Sequence, residues 1–311
     1  MEGSWRRHLQ LGVIQVMMFP DAPSSDERTI ETARQILADD FFGVLVAGRM
    51  SREATGAVRK MVQEANASVA ISAAPVILGG KHNLASLDEG SRKAAVEDLK
   101  KSIDDAYTLG AKVVEVLDGA KSFPGPELEK QATDQLVRTL TELASYAEQK
   151  AAAEPIWILL ETFDRSVDKQ SLVGPSSLAV EVARGVRAKQ ANFGLTIDMG
   201  HLPLIGEGYR EALETTKDYL VHAHLGNCIR DDKGHAFYGD SHPAFGLPGG
   251  VADVPELAEF IAALQGIGYF EKQGPTGMPW LTFEVKPQPG QSSELMIANC
   301  KRTFKEAWAR L

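Results

Sequence analysis

The sequence predicts a single eight-stranded β/α barrel, α/β in class and occupying residues 1–311 as one domain, and three observations carry that expectation. Eight short apolar runs recur along the chain, and the stretches between them place apolar residues at helical spacing, which is the alternation of βαβ units around a parallel sheet. An open doubly wound sheet that binds a nucleotide needs a glycine-rich first turn, whereas here Val16 is followed by Met17, Met18, Phe19 and Pro20.

Taken in order, the runs are residues 9–16, 42–46, 69–73, 113–117, 156–161, 193–198, 219–224 and 280–285. Between the third and fourth, residues 94–109 form a helix with Val96, Leu99, Ile103 and Ala106 on one stripe, stopped by Gly110. Residues 134–149 repeat the pattern with Leu136, Leu140, Leu143 and Ala147. The interval from Tyr219 to Trp280 is much longer than the others and holds only one helical stretch, 253–264, so a Gly-, Pro-, Asp- and His-rich loop of about residues 226–252 follows His224. A long loop on a compact barrel is more often functional than idle. Residues 288–293 read as a loop, and 294–310 as the closing helix.

Composition narrows the function. The chain has 311 residues, 44% of them hydrophobic, enough for one large core. Acidic residues outnumber basic ones by 42 to 33, a formal charge of -9, so no nucleic-acid partner is expected. Cys228 and Cys300 are too few for a disulfide scaffold, and the start of the chain does not read as a signal peptide, so a cytoplasmic location is expected. No segment has the apolar length of a membrane span.

Four successive strands end in residues able to ligate a metal: Glu161, Asp198, His224 and Glu284. At the C-terminal face of a barrel such ends converge over the packed core. Singly, each has a structural explanation: the glutamates could pair with lysines, Asp198 could cap a helix and His224 could be a satisfied semi-buried histidine. Together, three buried carboxylates need a compensating cation. Three carboxylates and one imidazole suit Mn²⁺ or Mg²⁺, with Co²⁺ also compatible.

Glu161-Thr162-Phe163-Asp164, Asp198-Met199-Gly200-His201, His224 with Arg230 six residues later, and Phe283-Glu284-Val285-Lys286-Pro287 resemble the signatures of the xylose isomerase-like barrel superfamily, especially its sugar isomerase and epimerase branch. The resemblance extends through Gly79 to Leu84 and through Arg92 and Ala106 to Gly110. It implies that Glu161 and Glu284 are metal ligands that also exchange substrate protons, that Asp198 and His224 are ligands, and that His201 and Arg230 grip substrate oxygens. The structural alternatives are a capping or supporting hydrogen bond for His201 and a solvent pair with Asp231 or Asp232 for Arg230.

Within the loop, Tyr238-Gly239-Asp240-Ser241-His242-Pro243-Ala244-Phe245-Gly246 departs from compact epimerases and is similar to the expanded loop of the catalytic subunit of carbon-glycoside deglycosidases. Tyr238 and Phe245 are expected to cover a ligand, and His242 to contribute to catalysis and binding or to stabilise the loop. The expected activity is metal-dependent sugar isomerisation or epimerisation through proton abstraction beside a carbonyl. Alternatives are elimination from a 3-keto glycoside and dehydration of a polyol-derived ketone. A phosphodiesterase like the abasic-site endonucleases is disfavoured because the chain shows no extra row of strand-end histidines to hold a second metal. A noncatalytic sugar-binding barrel is the remaining class. The expected partner is a sugar or keto-glycoside, with a homodimer or an accessory subunit as expectations that no motif specifies.

Overall fold

A computed structural model describes residues 4–311. Its strands are β1 (Gln10–Ile14), β2 (Val44–Ala47), β3 (Ser68–Ser72), β4 (Val113–Val116), β5 (Trp157–Glu161), β6 (Phe193–Asp198), β7 (Leu220–Gly226) and β8 (Trp280–Glu284). Each strand pairs in parallel with its neighbours in chain order, and β1 closes the barrel against β8 through Gln10↔Trp280 to Val13↔Phe283. The fold is therefore the single (β/α)8 barrel that the alternation predicts.

Strand alternation sorts the apolar residues into two cores. Ile14, Val44, Val46, Ala70, Val113, Leu159 and Trp280 fill the barrel interior. Outward residues such as Leu11, Val13, Leu45, Ile158 and Phe283 instead join the larger core beneath the helices. The indole of Trp280 donates to Gln10 Oε1 at 3.0 Å, which satisfies its polar atom as it closes the lower interior.

The sequence-derived boundaries shift where a polar residue leaves the pattern. The first run was expected to continue to Val16, but Gln15 turns out of β1 into the helical turn Gln15–Met18. There its buried amide donates to Thr29 O and Thr32 Oγ1, both at 2.8 Å, fastening β1 to the helix Asp26–Leu37. The helix expected at 94–109 starts earlier, as Glu89–Leu109, because Asp88 caps it and buried Arg92 pairs with Glu89 and Glu142 in place of an apolar contact. The helix after the long loop is Val254–Gly266, begun by a capping box between Asp253 and Glu256. The closing helix is Ser293–Trp308.

At β7 the strand runs past His224 to Gly226, pairing Leu225 with Phe283 and Gly226 with Glu284. A register shift between Leu195 and Thr196 aligns Thr196 with His222 and Asp198 with His224, so these side chains meet inside the barrel. Residues 227–253 then carry no helix or strand, apart from an isolated bridge between Ile229 and Gly239. Cys228 and Cys300 are buried free thiols. Among the described residues no helix is long and apolar enough to cross a membrane.

Candidate metal centre

Glu161, Asp198, His224 and Glu284 each present a ligand atom at the upper ends of β5 to β8, all within 4.8 Å of one another. His224 Nδ1 lies 3.2 Å from Glu161 Oε1 and 2.8 Å from Glu284 Oε2. Asp198 Oδ1 accepts the backbone N–H of Gly200 and of His201, whereas its Oδ2 is buried with no hydrogen-bond partner. An orphaned carboxylate oxygen at that depth is costly unless a cation meets it, so the donor set fits a divalent ion. Gly226 leaves the necessary room: a Cβ there would lie 2.8 Å from Asp198 Oδ1.

Without a cation the acids share protons unequally. Burial, reinforced by the Glu284 charge, pushes the Glu161 carboxyl up to about 7. Burial also raises Asp198, against the pull of His201 and His242. For Glu284 burial acts upward too, but His242 and His224 outweigh it and hold the carboxyl below its ordinary value. The two glutamates thus differ in proton affinity, one holding a proton near neutrality while the other is ionised, a division suited to paired acid and base work.

Beneath these residues lies a polar layer that the sequence reading missed. Glu115 on β4 points into the barrel, its Oε1 lying 3.2 Å from His224 Nε2, 2.6 Å from His222 Nδ1 and 3.2 Å from Thr196 Oγ1. His222 Nε2 reaches Thr282 Oγ1 at 2.6 Å. Burial works against ionising Glu115, but His224 and His222 outweigh it and hold the carboxyl well below its usual range. With Nε2–H of His224 donating to Glu115, its Nδ1 lone pair faces the four-residue cluster, the orientation that metal-binding histidines commonly receive from a supporting carboxylate. One signal was available: Glu115 interrupts the apolar run Val113-Val114-Glu115-Val116 at an inward position.

His201 and His242 also reach the centre. His201 Nδ1 donates to Thr162 O at 2.8 Å, and its ring lies against Phe163, tilted by 37° with centroids 4.2 Å apart. His242 Nδ1 donates to Glu284 O at 2.9 Å, and the two Nε2 atoms are 3.3 Å apart. Arg230 is not drawn into the cluster; its guanidinium is 48% exposed and pairs with Asp231 at 2.7 Å. Phe245 was expected to cover a ligand. It is buried in the outer core, edge-on to outward-facing Phe283, because the loop tucks that residue beneath the closing helix, where Asn299 bonds its carbonyl. Tyr238 is half-buried on the loop.

A cavity of about 600 Å³ lies at the opposite end, lined by Trp157, Arg187, Lys217, Tyr269 and Lys272 near the strand starts. The carboxylate and imidazole cluster is at the strand C-terminal ends, where β/α barrels carry their chemistry, and we take that face as the functional one.

The fold accords with known proteins. No curated protein matches the chain at a significant level. Among solved structures, a D-tagatose 3-epimerase-like protein is 20% identical, with 97% of this chain and 99% of that one covered and a TM-score of 0.69. The 3-keto-D-glucoside 4-epimerase YcjR from E. coli is 14% identical over 96% and 99%, with a TM-score of 0.67. D-allulose 3-epimerase from Methylomonas sp. is 18% identical over 96% and 98%, with a TM-score of 0.70. A family profile matches residues 10–296, and by that match the chain belongs to the xylose isomerase-like TIM barrels.

Proposed function

We propose that this protein is a divalent-metal-dependent sugar isomerase or epimerase that acts by moving a proton at the carbon beside a carbonyl. The observation that carries the reading is the placement of Glu161 and Glu284 on β5 and β8, with Asp198 and His224 on the two strands between them. A Mn²⁺, Mg²⁺ or Co²⁺ ion held by those four residues would polarise the substrate carbonyl and favour loss of the neighbouring proton. Glu161 and Glu284 can approach a bound sugar from two sides, so one removes a proton and the other returns it in epimerisation, whereas one face serves both steps in isomerisation. His201, fixed by Thr162 and Phe163, offers Nε2 to a substrate oxygen. Arg230 is assigned to substrate binding. Its present partner Asp231 is itself 74% exposed, so this ion pair is weak and can be exchanged for a substrate oxygen.

One observation favours a second reading, elimination from a 3-keto glycoside. The long loop presses His242 and Asp240 against Glu284 and His201, adding groups beyond the four strand ends. The E. coli structural neighbour is described as acting on a 3-keto-D-glucoside, a substrate whose ketone would acidify the adjacent hydrogen in either reaction. Incubating the Mn²⁺-loaded protein in D₂O with free ketoses, and separately with 3-keto glycosides, tests both. A sugar isomer carrying solvent deuterium supports the first reading and release of the aglycone supports the second. The absence of both deuterium incorporation and product across the two panels would sink both readings.

A further inference from the structure

The cavity at the strand starts holds two cations with no carboxylate bonded to them. Arg187 ends the helix Ser176–Arg187, and Lys272 follows the turn Tyr269–Glu271; both line the cavity. Among the described residues neither forms an ion pair, although the chain as a whole carries a formal charge of -9; their hydrogen bonds go to backbone carbonyls. The third cation of the lining, Lys217, is taken by Glu214.

Arg187 is exposed yet held in place. Its Nη1 donates to Ala191 O at 2.8 Å and to Phe193 O at 2.9 Å, and its guanidinium lies over the Trp157 ring, 5.1 Å from the centroid. The Nε and Nη2 donors form the side-on fork that matches two oxygens of one anion, and among the described residues nothing accepts from them. Lys272 donates to Lys217 O, which leaves two further N–H groups on its ammonium. Burial holds it below its ordinary value, and Lys217 adds to the fall while Asp218 opposes it. A partly desolvated ammonium without an ion pair is a group that an anion stabilises. Tyr269 anchors the segment that presents it, the phenol oxygen lying 3.0 Å from Val221 O and 2.8 Å from Trp280 O.

Much of the remaining wall is apolar. Trp157 and Val221 pack against the barrel-interior core, Tyr219 and Ile267 against the outer one, and all four line the cavity only partly buried. We propose that this cavity is a second small-molecule site, at the opposite end of the barrel from the strand-end centre, and that it takes a planar aromatic anion: a ring system bearing a carboxylate, sulfonate or phosphate group. Arg187 and Lys272 neutralise the charge, the Arg187 fork taking two of its oxygens, and the ring covers the apolar wall. The volume of about 600 Å³ falls within the roughly 300–1,000 Å³ of small-molecule sites. This site is independent of which sugar is transformed at the other face.

Isothermal titration calorimetry with naphthalene-2-sulfonate tests the assignment, with naphthalene-2-sulfonamide as the uncharged ring and sodium sulfate as the charge without a ring. Each titration is run with and without chelator, because capture of the anion by a strand-end metal would be chelator-sensitive. The expected result is one sulfonate per chain, indifferent to chelator and bound at least about tenfold more tightly than either control. Arg187→Gln should weaken binding about tenfold, the effect of losing a charge-assisted fork, and Lys272→Gln several-fold, with native circular dichroism in both. Absence of binding, chelator-sensitive binding or an equal affinity for the sulfonamide overturns the proposal in the wild type alone. Unchanged affinity in either folded variant overturns it as well.

Discussion

The strand ends and the long loop supply the same kinds of side chain to one centre by different means. Glu161, Asp198, His224 and Glu284 stand on hydrogen-bonded strands whose registers set their positions. Asp240 and His242 come from a segment with no regular structure, held instead by individual contacts: Lys169 on Asp240, Glu284 O on His242 Nδ1, and Lys286 N on His242 O at 2.7 Å. A side chain on a strand shares its stability with the barrel, whereas a side chain on a loop depends on a few bonds that one substitution can remove.

The largest effect should come from the strand ends. Glu161→Gln and Glu284→Gln each remove a proton-transfer group, and turnover on an identified substrate should fall about 10²- to 10⁴-fold. Near-wild-type turnover in either variant would remove that glutamate from the mechanism. Next comes the layer beneath. Glu115→Gln takes the charge away from His224 Nε2, and affinity for the strand-end metal should drop about 10- to 100-fold, the usual effect of losing a supporting carboxylate. Calorimetric titration with Mn²⁺ measures this, and an unchanged affinity would make Glu115 merely structural.

The loop makes a pH-dependent contribution in the metal-free protein. Burial alone would lower the His242 imidazole, but Asp240 and Glu284 outweigh it and push it up to about 9. A histidine raised on folding stabilises the folded state fully below its unfolded value near 6.5, and that contribution is lost as pH rises through the folded value. The Tm of chelated protein should therefore fall between pH 7 and pH 9.5, and His242→Gln should flatten the fall. Parallel profiles for the two proteins would detach His242 from it. The smallest effect on folding belongs to Arg230, whose exposed pair with Asp231 is screened by solvent. Arg230→Ala should leave Tm nearly unchanged while raising KM several-fold, and an unchanged KM would end its assignment to substrate.

How much could be read in advance follows the same division. The barrel and its four converging strand ends were legible because strand side chains alternate and parallel strands in a β/α barrel end on one face. Glu115 and His222 were within reach of the same reasoning, since both lie at inward positions of apolar strands, but they sit a layer below the mouth, and attention to strand ends alone passed over them. The burial of Phe245 in the outer core was not legible, because an aromatic residue in a loop has no periodicity to say which way it faces.

By itself the sequence determined the fold class, the eight strands and the residue types gathered at the barrel mouth, since these follow from short-range periodicity and chain order. The tertiary structure alone decided that Asp240 and His242 return to meet His201. A loop's path depends on long-range contacts such as Lys169 to Asp240 and His242 to Glu284, and no local pattern of residues encodes them.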